Sequence, residues 1–149
     1  MAIKNQIQQD LSEAMKAHNE NKTSVLRMLK ASIFKFEVAG SEKKDATDEE
    51  IVTIINKEIK QRRDSAEQFK KANRFEMADK EEKEIEVLLT YMPPQMNEEE
   101  IRKIAKEVIV EVGAKSKQDI GRVMGVMMGK VKGQADGSLV NEVVASLLP

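Results

Sequence analysis

Apolar residues return every three or four positions along almost the whole of this chain, the spacing that keeps one side of a helix greasy. From residue 2 to 18, Ile3, Ile7, Leu11, Ala14 and Met15 share a face, while Lys4, Asp10, Glu13 and Lys16 take the other. After a turn at 19–22, with Thr23 as cap, Val25, Leu26, Leu29, Ile33 and Phe36 repeat the pattern until Gly40 and Ser41 end it near Ala39. Four Phe and one Tyr are the only aromatics, so burial falls to Leu, Ile, Val, Met and Ala, which suits packed helices. The expected fold class is all-α and multihelical.

Thr47 and Glu50 form a T-x-x-E capping box, and the run behind it continues without Gly or Pro to about Ala72. Its stripe of Ile51, Ile55, Ile59, Ala66 and Phe69 takes in Arg62, a guanidinium where a hydrophobe is expected. Such a residue snorkels, reaches an anion or pairs with a carboxylate, and we expect a structural ion pair. A break at Asn73 and Arg74 leads into residues 75–91, and Pro93-Pro94 then forbids helix continuation. We place a domain boundary there, giving four helices in an N-terminal subdomain, 1–94, and three in a C-terminal subdomain, 95–149. Asn97 with Glu100 and Gly113 bracket the fifth helix, Ser116 with Asp119 opens a sixth reaching about Lys132, and Ser138 caps the last.

With no Cys and a single His, thiolate zinc sites, disulfides and a Ser-His-Asp triad are excluded; His18 reads as a packing residue at the edge of the first apolar face. No metal site, cofactor or catalytic group is expected. No signal-peptide pattern opens the chain and no run of about 18 apolar residues occurs, so a cytoplasmic protein without a membrane partner is expected.

Gly121, Gly125, Gly129 and Gly133 recur at a spacing of four. An interior helical Gly costs about 1 kcal/mol relative to Ala, so the pattern needs a compensating purpose. Two purposes stay open: close packing against another helix, or a bare surface that a phosphate backbone or partner helix approaches. Lys115, Lys117, Arg122, Lys130 and Lys132 against Asp119 give residues 115–133 a net charge of +4. A polyanion responds to such local excess, and without interleaved aromatics it would be read through backbone and shape. A second basic run, 57–74, is also +4, but residues 76–86 are −4, so those two helices can neutralise each other.

The blocks Lys57 to Phe69, Glu84 to Pro93, Gly121-Arg122-Val123-Met124-Gly125 and Lys130 to Asn141 resemble, in order and over essentially the whole chain, the YqeY family. The resemblance implies a helical tail shared with GatB, a subunit of the tRNA-dependent amidotransferase, where such modules help hold tRNA and the reaction centres lie elsewhere. The tail signature carried over is Gly121, Gly125, Lys130, Lys132, Gly133, Asp136, Gly137 and Asn141; Gln134 stands where the family pattern commonly has Arg. An accessory protein of tRNA metabolism is therefore expected, binding tRNA through Lys115, Lys117, Arg122, Lys130 and Lys132. It would have no catalysis of its own, and a carbon-nitrogen ligase label would come by association only. The alternative partner is an amidotransferase or aminoacyl-tRNA synthetase, docked on the glycine strip.

Overall fold

The computed structural model describes residues 2–149 and is all-helical, without a strand among them. It divides into two compact units, Met1–Met92 and Pro93–Pro149.

The first unit holds α1 (Ala2–Lys16), α2 (Glu20–Glu37), α3 (Asp48–Lys71) and α4 (Phe75–Leu89). Its core is built by the predicted stripes, with Ile7 and Leu11 meeting Leu26, Leu29 and Ile33 of α2, Ile51, Ile55 and Ile59 of α3, and Leu88 of α4. The start of α2 lies earlier than the sequence suggests. Asn19, not Thr23, accepts the N–H of Lys22, because the reversal is already complete at His18, which sits at φ +55°. His18 is therefore an exposed turn residue and not part of an apolar face. Thr47 and Glu50 make the capping box reciprocally, and Asn73 at φ +60° breaks α3 from α4.

Glu37 fastens the segment joining α2 to α3. Only 2% exposed, it accepts Lys4 Nζ at 2.6 Å and the Ala46 N–H at 2.8 Å, while its own carbonyl receives the Lys44 N–H at 3.0 Å. Hydrogen bonding from Lys4, then from the Ala46 amide, holds this carboxyl below its ordinary value, and the same contact raises Lys4. Arg62, 12% exposed, donates to Glu84 and, at 3.3 Å, to Glu81, so the guanidinium on the apolar stripe is held by two carboxylates of α4.

The second unit holds α5 (Glu98–Val112), a 3₁₀ turn (Lys117–Asp119), α6 (Ile120–Lys130) and α7 (Gly137–Leu147). Ile101, Ala105 and Val108 of α5 pack with Val123 and Met127 of α6 and with Val140, Val143 and Val144 of α7. Asn97 caps α5 and Gly113 closes it at φ +68°, a left-handed position that glycine takes at least strain. α7 is capped by Asp136, which accepts the Ser138 N–H, so Ser138 is inside the helix and not its cap.

Candidate nucleic-acid interface

α6 is short and opens through the 3₁₀ turn, because Ser116 and Asp119 satisfy each other's backbone groups there. Asp119 does more than cap. One carboxylate oxygen accepts the N–H groups of Lys115 at 2.9 Å and Ser116 at 3.4 Å, and the other accepts Arg122 at 2.9 Å. The Lys115 amide first, and the Arg122 guanidinium second, keep this carboxyl below its ordinary value. Arg122 also donates to the Val112 carbonyl at 3.2 Å, so its head lies across the end of α5.

Gly121, Gly125 and Gly129 face open space. A Cβ placed on any of them meets nothing within 4 Å, and all three are exposed. Among the described residues, then, close helix packing does not account for the spacing of these three. Gly133 does not extend the strip. α6 ends at Lys130, and Gly133 is buried at φ +75°, its carbonyl accepting Gln95 Nε2 at 2.9 Å. The Met96 N–H reaches the Gln134 carbonyl at 2.8 Å, so the chain after α6 is fastened to the segment leading into α5.

The five cations are not equivalent. Lys130 meets Glu111 of α5 at 3.1 Å and Arg122 is engaged with Asp119. Lys115, Lys117 and Lys132 are exposed and make no ion pair among the described residues. At 100° per residue the glycines span about 80° of the helix, Arg122 borders one edge and Met124 with Met128 the other. Interior N–H groups of α6 are consumed by the helix itself, so a phosphate on the strip gains closeness and not amide donors. Its attraction has to come from the lysines and Arg122. Glu111 and Gln95 are site residues that the sequence does not single out, and Asp119 enters it only as a helix start and a counter-charge. The Ser116-Asp119 spacing marks only a helix start, and nothing local ties Glu111 to a lysine nineteen positions on.

Among the described residues no group of three or more His, Asp or Glu could hold a metal ion, and no helix is long and apolar enough to cross a membrane.

An all-helical chain whose second unit carries a bare, glycine-marked helix edged by Arg122 defines a class: a small multihelical protein with an exposed glycine face. The chain belongs to the Yqey-like protein family, whose model matches residues 4–148. It is 31% identical over 131 residues to altered inheritance of mitochondria protein 41, mitochondrial, of Pyrenophora tritici-repentis, covering 87% of this chain and 71% of that one. The protein of the same name from Clavispora lusitaniae is 30% identical over 115 residues, 76% of this chain and 66% of its own. An uncharacterized protein of Schizosaccharomyces pombe is 34% identical over 88 residues, 58% and 69% of the two chains. Two of these relatives carry mitochondrial names, so the cytoplasmic expectation rests on the sequence reading alone.

Proposed function

We propose that the protein is a non-catalytic accessory of tRNA metabolism whose Pro93–Pro149 unit contacts the phosphate backbone of tRNA. One observation carries the reading: the three glycines of α6 stand in open space beside Arg122, with Lys115, Lys117 and Lys132 exposed in the same unit. Backbone approach without base stacking suits a folded RNA recognised by shape. The resemblance to the tail of GatB supports tRNA over other polyanions. It lends no support to an independent ligase, since the parts that perform that reaction have no counterpart in the resembling blocks.

Binding of tRNA measured at rising salt tests this. Affinity should fall steeply with salt, and Lys115→Gln, Lys117→Gln and Lys132→Gln should each lower the slope by about one unit per lost contact. No binding at about 50 mM salt, or binding with no slope, refutes it.

A second reading has its own support. Met124 and Met128, half-buried, edge the strip with adaptable side chains, and Arg122 and Lys130 are already engaged by Asp119 and Glu111. Those features suit the helix of a partner such as an amidotransferase or a synthetase. A stoichiometric protein partner that survives nuclease treatment and is lost with Gly125→Leu favours it over tRNA.

A further inference from the structure

We propose that the outer face of α2 is a docking surface for an anionic lipid bilayer. α2 is apolar on two sides. Its inner side is core, yet Ala31, Phe34 and Val38 point outward, with Phe34 55% and Val38 42% exposed. At 100° per residue Arg27, Ala31, Phe34 and Val38 fall within about 60°, a ridge ~16 Å long. Met15, 47% exposed, adds to one end, its sulfur lying 3.9 Å from Arg27.

Charge chooses the occupant. Arg27, Lys30, Lys35 and Lys43 frame this ridge, and none of them is in an ion pair among the described residues: Lys30 donates to the Gln8 amide oxygen, and Lys43 hovers 5.7 Å from the Phe34 ring centre. Elsewhere in the same unit Lys4, Lys44, Arg62, Lys70 and Lys71 meet carboxylates while Lys57, Lys60, Lys80 and Lys83 do not among the described residues, so unpaired charge marks this ridge only together with the apolar side chains it flanks. Between Ser24 and Val38 the one acid of α2 is Glu37, which is turned inward and buried. A ridge without an exposed acid between Ser24 and Val38, flanked by long basic side chains, suits the bilayer interface, where apolar groups enter the acyl boundary and cations remain among phosphates, although Glu20 and Glu42 stand exposed beyond its two ends. A nucleic acid would use the cations but gains nothing from Phe34 and Val38. The absence of a spanning helix among the described residues does not bear on a surface contact of this kind.

Co-sedimentation of the full chain with phosphatidylcholine vesicles, with and without about 30% phosphatidylglycerol, tests the proposal. Binding is expected to the anionic vesicles only, fading as salt rises from about 0.05 M to about 0.5 M. Phe34→Ser with Val38→Ser should weaken partitioning at least about fivefold. Arg27→Gln and Lys35→Gln should each weaken it about fivefold. All four side chains are exposed, so circular dichroism should report unchanged helix content. Lys115→Gln with Lys117→Gln, in the other unit, should leave vesicle binding intact, which separates this surface from the proposed tRNA contact. Equal pelleting with neutral vesicles, no pelleting, or indifference to the Phe34 and Val38 pair overturns it; indifference to that pair with loss on removing the cations would indicate an acidic partner or nucleic acid instead.

Discussion

Replacing Gly125 by Ala separates stability from binding, because the two should move in opposite directions. Gly125 lies at the middle of the eleven-residue α6, and a Cβ there meets nothing within 4 Å. Its backbone is ordinary right-handed helix, so Ala brings no strain and removes conformational freedom from the unfolded chain. The gain should be about 0.4 to 1 kcal/mol. Gly121 and Gly129 sit nearer the helix ends, where the same change should give less. Urea unfolding followed by far-ultraviolet circular dichroism reads this as a higher midpoint at unchanged slope. The added methyls also occupy the strip and hold a phosphate backbone farther from α6, so tRNA affinity of the triple Ala variant should fall although stability rises. If Gly125→Ala instead lowers the midpoint, the strip is covered and the open-face reasoning is wrong. Stability gained with affinity unchanged would mean that the lysines bind wherever they can and that the glycines have no part in it.

Removing Glu84 by Glu84→Ala strands the Arg62 guanidinium with only Glu81, and Arg62→Met strands the buried Glu84 carboxylate, so each should cost about 3 kcal/mol, whereas Arg62→Met with Glu84→Met, which removes both charges and keeps the bulk, should cost far less; a double variant as destabilised as the two losses added would refute a buried pair. Tyr91 donates to Asp10 at 2.5 Å, and burial first, then this hydrogen bond and the Asp10 charge, push its ionisation well above the ordinary value of 10.0. Since it is the one tyrosine of the chain, phenolate absorbance should stay flat through the pH range in which a free tyrosine ionises while the fold persists; its contribution to stability is complete below the unfolded pKa and lost as pH rises through the folded one. Glu37 has the opposite sign. Its lowered carboxyl stabilises above the unfolded value of about 4.3 and ceases to do so as pH falls through the folded value, so Glu37→Gln should lose stability at pH 7 and show a flatter midpoint between about pH 5 and pH 3. An equally steep acid limb in the variant would assign it to other carboxylates.

Much of the fold is legible in the sequence because its signals are local. The Thr47-Glu50 box, the Asn97 cap and the Gly113 stop act within one turn, and each is found where the spacing puts it. The departures have local causes too. Thr23 precedes an apolar run and so resembles a cap, yet His18 at φ +55° finishes the turn sooner and leaves Asn19 to do the capping. Ser138 gives way to Asp136 in the same manner, a matter of which of two neighbouring oxygens faces the free amides. Gly133 shares the interval of four with the other glycines, but the helix ends before it and the interval has no geometric meaning there.

The amino-acid order by itself determined that this chain is helical, which stripes are buried and where most helices begin and stop, since periodicity and capping depend on neighbours within four positions. Whether Gly121, Gly125 and Gly129 lie against another helix or against water, and which carboxylates hold Arg62 and Lys130, was decided only by tertiary structure. Those partners stand nineteen or more residues away, and packing alone brings such distant groups within hydrogen-bonding reach.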